Sequence, residues 1–300
     1  MFPPLDGRDI CFLAKWAAAS DTGCVSIFVQ FAVGPERFGL DVSRVLELCQ
    51  MPERGPTSLP GATPATLGVI NLRGAISRVI DVRLLLGYPT SRQQLASLTQ
   101  LLADRERDHV GWLDELRRCV DNDEPFTKAT DPAQCAFGKW YNAVHEDEGK
   151  RFAITGGADS LDRLLDAFDA PHRRIHGIAQ HCLALAGEGK QDEARAVIEQ
   201  AWTTDLAEMK RLFKSLLNNF VSARRPMLVF VESGNDRLAL AVDRLLDIAT
   251  LEPTPQTRHF DHGRVDLQLN TAFTSENELV QILDLDELIA LDGATDRAAA

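Results

Sequence analysis

The sequence predicts an α+β multidomain chain in which helices interrupt β structure, and three observations predict it. Apolar residues follow a strand-like pattern from Val25 to Leu86 and again after Arg225. Between those flanks, from about Arg92 to Ala223, they follow a helical period. A stretch of the first flank, Phe38–Glu47, also aligns without gaps on Leu238–Asp247 of the second.

Val25–Phe31 is rich in β-branched and aromatic residues, and Gly34-Pro35-Glu36-Arg37 is a turn signal. Phe38–Val42 alternates in polarity, Val45–Leu48 follows, and the Pro- and Gly-rich stretch from Pro52 to Pro64 reads as loop. Val69–Arg73 and Ile76–Leu86 return to strand character with Gly74 between them. Leu95, Leu98, Leu101, Leu102, His109, Trp112, Leu113 and Leu116 then form a helical stripe. Asp131-Pro132 opens another helix, with the acid as N-cap and proline at the first position. Asp169-Ala170-Pro171 starts a further helix or kinks a longer one, and Ala194 to Leu216 carries helical spacing once more.

Beyond Arg225, Val79-Ile80-Asp81-Val82 finds its counterpart in Ile282-Leu283-Asp284-Leu285. The repeat predicts two similar small barrels with the helices inserted between them. The insert's ends must then lie close together, and an even number of long helices achieves that, so four are expected. The resulting division is an N-terminal arm (1–23), a first β part (24–93), a helical bundle (94–224), a second β part (225–293) and a disordered tail (294–300).

A formal net charge of −12 argues against nucleic acid as the main partner, which needs a basic stripe, and gives no attraction to a membrane surface. Apolar runs are strand-length or broken by charge, and the N-terminus lacks a basic start followed by an apolar core. The expectation is a cytoplasmic protein. Six scattered cysteines without a CxxC pair read as reduced thiols, most of them small core residues.

Five of the seven histidines lie between 109 and 181. His172 and His176 are spaced i, i+4 and project from one helix face. Cys135 follows the Asp131-Pro132 helix start, where the positive helix end is expected to lower its pKa. One Cys and three His suffice for a closed tetrahedral zinc set. Each residue also has an ordinary reading: surface polar for the histidine pair, core for Cys135. Arg173, Arg174 and Ile175 fill the pair's interior where a zinc protease would carry a glutamate.

His109-Val110-Gly111-Trp112, Cys135-Ala136-Phe137-Gly138-Lys139-Trp140-Tyr141 and His172-Arg173-Arg174-Ile175-His176 resemble, in this order, the motifs of the chemoreceptor zinc-binding (CZB) domain over roughly residues 95–222. The resemblance implies a four-helix bundle and one zinc per chain held by His109, Cys135, His172 and His176. It also implies reaction of Cys135 with hypochlorous acid. Trp112, Phe137, Gly138 and Trp140 are expected to pack around the metal. Thirty-one residues separate Trp140 from His172, more than the family pattern leads one to expect, and His145 within them and His181 beyond are substitute ligand candidates.

The flanks resemble the CheW family of chemotaxis coupling proteins over residues 24–92 and 226–292. Glu36–Leu40, Leu59-Pro60-Gly61, Gly68-Val69-Ile70-Asn71-Leu72-Arg73-Gly74 and Val79–Arg83 carry that likeness. It implies a pair of SH3-like barrels without an active site, coupling chemoreceptor tips to the histidine kinase CheA with Arg73 at the contact. The combined expectation is a non-enzymatic adaptor whose bundle senses zinc or oxidation and allows a homodimer through its helices. A purely structural zinc and a zinc-dependent enzyme are the alternatives.

Overall fold

The computed structural model describes residues 26–234, 236–262 and 265–297, so the expected N-terminal arm lies outside the described residues. The chain divides into two units, Met1–Thr90 with Arg225–Ala300, and Ser91–Arg224.

The first unit is built on β strands: β1 (Ile27–Val33), β2 (Glu36–Asp41), β3 (Val45–Gln50), β4 (Thr66–Leu72), β5 (Ala75–Asp81), β6 (Met227–Ser233), β7 (Asp236–Val242), β8 (Arg244–Thr250), β9 (Glu252–His262), β10 (Val265–Phe273) and β11 (Leu279–Ile282). One sheet runs β8-β1-β2-β11-β10-β9 and the other β3-β6-β7-β5-β4. The two sheets are not each drawn from one half of the sequence: each half lends its first hairpin to the other's sheet. β1 pairs antiparallel with β8 as β6 does with β3, and β2 runs parallel to β11 as β7 does to β5.

The sequence repeat explains the exchange. Ile282 faces Gly39 across the first parallel pair and Val79 faces Ala239 across the second, each residue matching its repeat counterpart. Both repeats carry a bulge at the same place, between Val45 and Glu47 and between Leu245 and Asp247. Because strand side chains alternate, one face of each hairpin meets a shared core: Val29, Phe31, Phe38 and Leu40 join their counterparts Val229, Val231, Leu238 and Leu240 there. The opposite faces line two smaller clusters, one with Phe28 and Val280, the other with Leu228, Phe230 and Val79.

Two segments differ from the sequence reading. Val82–Leu85, expected as strand, forms a short helix (α1), because the Asp81 carboxylate accepts the Arg83 N–H at 2.9 Å and caps it. Asp284 accepts likewise from the Asp286 and Glu287 N–H groups, and the following helix, numbered α9 in chain order, spans Leu285–Arg297, taking in most of the expected tail. Arg83 is 4% exposed, pairs with Asp243 and donates through Nε to the Pro89 carbonyl at 3.1 Å. Asp243 also accepts the Gly34 N–H at 2.8 Å.

The second unit comprises α2 (Ser91–Asn122), α3 (Ala136–Glu146), α4 (Glu148–Thr155), α5 (Asp159–Asp166), α6 (Asp169–Gly187) and a rod of α7 (Gln191–Ala201), a π-helical turn (Trp202–Leu206) and α8 (Ala207–Ala223). Four long pieces form the bundle, and the short α4 and α5 occupy the interval between Trp140 and His172. Ion pairs Glu106–Lys210, Arg117–Glu199 and Asp121–Arg195 join α2 to the rod. Each step forward along α2 is matched by an equal step back along the rod, so the two are antiparallel. The same register sets the first turn of α2 against the last turn of α8, which returns the chain to where it entered.

Candidate metal centre

Each donor is delivered by a local device. His109 lies on the buried stripe of α2, 2% exposed. Its Nδ1 is 2.7 Å from the Arg105 carbonyl, which only accepts, so Nδ1 carries the proton and Nε2 the free lone pair. Asp131 accepts the Ala133 N–H at 2.9 Å and caps the short 3-10 turn Pro132–Gln134. That turn brings Cys135 to the N-cap of α3, where Sγ accepts the Gly138 N–H at 3.2 Å. A Cβ at Gly138 would lie 1.9 Å from the Pro132 carbonyl oxygen, so only glycine lets the turn close against the helix. α6 starts at Asp169 with Pro171 in its first turn and carries His172 and His176, 3% and 2% exposed.

The structure brings these four together. One donor atom from each of His109, Cys135, His172 and His176 lies within 4.8 Å of all the others. His172 Nε2 and Cys135 Sγ are 3.1 Å apart. Zinc bonds of roughly 2.0–2.3 Å imply tetrahedral edges of roughly 3.3–3.8 Å, so the donors need draw together by only about 1 Å. The set also passes a test independent of motif. His109 Nε2 and both ring nitrogens of His176 are buried without a hydrogen-bond partner. Such atoms normally cost free energy, and a cation held by His109 Nε2 and one nitrogen of His176 removes that cost at those two atoms, the second His176 nitrogen pointing away from it.

Burial governs the electrostatics. It lowers the pKa of His109, and holds His172 down at about 3 and His176 at about 4, so all three present neutral imidazoles. Burial raises the Cys135 thiol, and the Gly138 and Phe137 N–H groups pull it only partly back. The helix end therefore does not yield a free thiolate in the metal-free protein, contrary to the sequence expectation; desolvation outweighs it.

Aromatic rings wall the cluster. Phe137 packs 4.6 Å from the His172 ring and 5.7 Å from His109, and Trp112 lies 4.8 Å from His176 while its Nε1 donates to the Ala129 carbonyl. Trp140 sits one layer out, 5.5 Å from Phe137. His145 is bound elsewhere, between the Tyr141 carbonyl and Asp166, and His181 is exposed; neither joins the cluster. The Arg105 carbonyl that orients His109 was not foreseen, since a backbone acceptor four residues back leaves no sequence signal.

Arg73 occupies the β4–β5 hairpin turn with φ +53°, beside Gly74 at +86°, and Asn71 Oδ1 accepts the Gly74 N–H. Its side chain is 71% exposed and pairs with Glu47 of β3 at 2.8 Å, bridging the two edge strands of the five-stranded sheet.

Parts of the sequence match known families. Residues 28–115 match the CheW-like domain family and residues 109–183 the chemoreceptor zinc-binding domain family. A curated relative, the chemotaxis protein CheW of Bacillus subtilis (strain 168), is 33% identical over 86 residues, 28% of this chain and 53% of that protein. The chain thus spans about half the length of that relative. A solved scaffolding protein, TtCheW from Thermoanaerobacter tengcongensis, aligns over 88% of this chain and 92% of its own at 14% identity with a TM-score of 0.36, too low to bear on the fold. The second β segment lies outside the CheW-like match, and its place in the unit rests on the shared sheets. No helix among the described residues is long and apolar enough to cross a membrane. One chain therefore pairs a segment that matches the CheW-like domain with one that matches the chemoreceptor zinc-binding domain, the helices lying in sequence between two β segments that share their sheets.

Proposed function

We propose that this protein is a cytoplasmic, non-enzymatic adaptor whose β unit couples chemoreceptor tips to the histidine kinase CheA, and whose bundle binds one zinc ion through His109, Cys135, His172 and His176. The observation that carries the zinc reading is the convergence of three buried histidines on the half-buried Cys135, with His109 Nε2 and the His176 ring left without a hydrogen bond. Bound zinc would hold α2, α3 and α6 together and keep the Cys135 sulfur deprotonated. Four protein donors leave no open position for a substrate, which favours a sensor or a structural centre over catalysis. Arg73 supports the docking role: the turn holds it in the left-handed region and leaves it exposed, and a surface ion pair with Glu47 contributes little that a partner's carboxylate could not replace.

The input is zinc availability or an oxidant. Hypochlorous acid transfers oxygen to the thiolate, giving sulfenic acid and chloride, and removes one donor of four. The bundle's ends join the β unit covalently at Thr90–Ser91 and Arg224–Arg225, so a loosened bundle acts on both β segments. Capture of receptor and CheA by zinc-loaded, chelated and hypochlorous-acid-treated protein tests this. The sensor reading expects affinity to differ among the three states. Equal affinities with intact docking would leave a zinc centre that serves stability alone, which the closed set of four protein donors also suits.

A further inference from the structure

His145 belongs to no metal set, yet both of its ring nitrogens are engaged. Nδ1 lies 3.0 Å from the Tyr141 carbonyl and Nε2 3.0 Å from Asp166 Oδ1. Both partners are acceptors, so only the doubly protonated ring satisfies them together; a neutral ring turns a lone pair toward one of them. The cluster is built from the interval that departs from the CZB pattern. Arg151 of α4 donates to Asp162 and Asp166 of α5, at 2.7 and 2.9 Å. Tyr141 of α3 lies ring to ring with His145 at 4.1 Å, and its hydroxyl donates to the Asp166 carbonyl. Asp169 and Arg173 of α6 also act on Tyr141 electrostatically.

The cluster reaches the metal centre along two packed routes. Tyr141 stacks on Phe137 at 5.7 Å, and Phe137 packs against His172. Asp166 ends α5 just before Phe168, whose carbonyl accepts the His172 N–H at 3.3 Å. The contact from His145 to Asp166 thus ties α3, which carries Cys135, to the segment that feeds α6, which carries His172 and His176.

We propose that His145 and Asp166 form a proton-operated latch that holds the Cys135 helix and the His172 helix in the metal-ready arrangement, giving the zinc centre a second, pH-dependent input from a residue that is not a ligand. This rests on the zinc reading above. Protonation closes the latch and favours zinc; deprotonation loosens it. By reciprocity, zinc must favour the protonated ring by the same factor. Both side chains are part-exposed, so the coupling is about two- to fivefold, as expected for such pairs.

The experiment is a proton NMR titration of the His145 ring in metal-free and zinc-loaded full-length protein, with zinc stoichiometry measured on the same samples. The latch expects the His145 midpoint to move to higher pH on zinc loading by that two- to fivefold factor. It also expects the ratio of wild-type to His145→Gln zinc affinity to fall as pH rises through that midpoint. A midpoint unmoved by one bound zinc per chain, or a ratio flat with pH, overturns the latch and leaves the zinc reading intact. Absence of bound zinc overturns the reading on which it rests.

Discussion

In the β unit the buried Arg83 guanidinium reaches both Asp243 and the Pro89 carbonyl, and Asp243 takes the Gly34 N–H in turn. In the helical unit His109 Nε2 and both nitrogens of His176 are also buried and lack a well-formed hydrogen bond. Among the described residues, the β unit's buried side-chain atoms without a hydrogen bond, Oε1 of Gln30 and Gln281, are neutral amide oxygens on different strands, β1 and β11. A paired buried charge is a finished piece of structure. Convergent unpaired donors are an unfinished one, stable only because the surrounding apolar core carries them, and completed by a cation.

Removing one donor should have the largest effect. Cys135→Ala or His172→Ala should lower zinc affinity well beyond the roughly 10–100-fold typical of outer-sphere changes, and zinc should no longer raise the bundle's unfolding temperature. Metal analysis together with tryptophan fluorescence of a Trp16→Phe background, in which Trp112, Trp140 and Trp202 of the bundle remain, reads both. Retention of one zinc per chain in either variant would erase the contrast. Arg83→Met breaks the opposite case by leaving the half-buried Asp243 with only the Gly34 N–H, at a cost of about 3 kcal/mol to the β unit. The tryptophan transition of the bundle should stay in place while the β-sheet transition in far-ultraviolet circular dichroism moves.

Gly138→Ala should cost about 1–3 kcal/mol as the Pro132 turn is pushed off α3, and zinc affinity should fall with it because that turn carries Cys135. Calorimetric titration of zinc in buffers of different ionisation enthalpy should show one proton released per zinc at about pH 7.5, from the thiol alone, since the three imidazoles are neutral there. More than one proton would mean that a histidine is charged there. The same depressed histidine values make the metal-free bundle's stability full above about pH 6.5 and progressively lost down to about pH 3. The smallest effect is on Arg73: Arg73→Ala should change stability by less than about 1 kcal/mol, because its ion pair is exposed, while weakening partner capture.

How much of this the residues announced depends on whether the signal was local. Phe38–Glu47 against Leu238–Asp247 disclosed the duplication, because alternation and bulge position are written in adjacent residues. The exchange of hairpins was not legible, since the β2–β11 pairing joins Phe38 to Gln281 and no neighbouring residue records it. Asp81 and Asp284 are cap residues by type, yet each follows an apolar run that reads equally well as strand. At the metal centre, residue type and spacing brought out His109, His172, His176 and Cys135, and the resemblance tied them into one ligand set. The raised Cys135 pKa was missed because helix position is visible in a sequence and desolvation is not.

The exchanged hairpins also set a timetable for the chain's birth. β1 and β2 leave the ribosome early, but their partners β8 and β11 come only after the whole helical insert has been made. At about 5–20 residues per second that wait is roughly 10–50 s, long enough for the bundle to fold first. Through that time the β1–β2 hairpin must keep two open edges from other nascent chains, so the bundle's own folding speed becomes part of how safely the β unit is assembled.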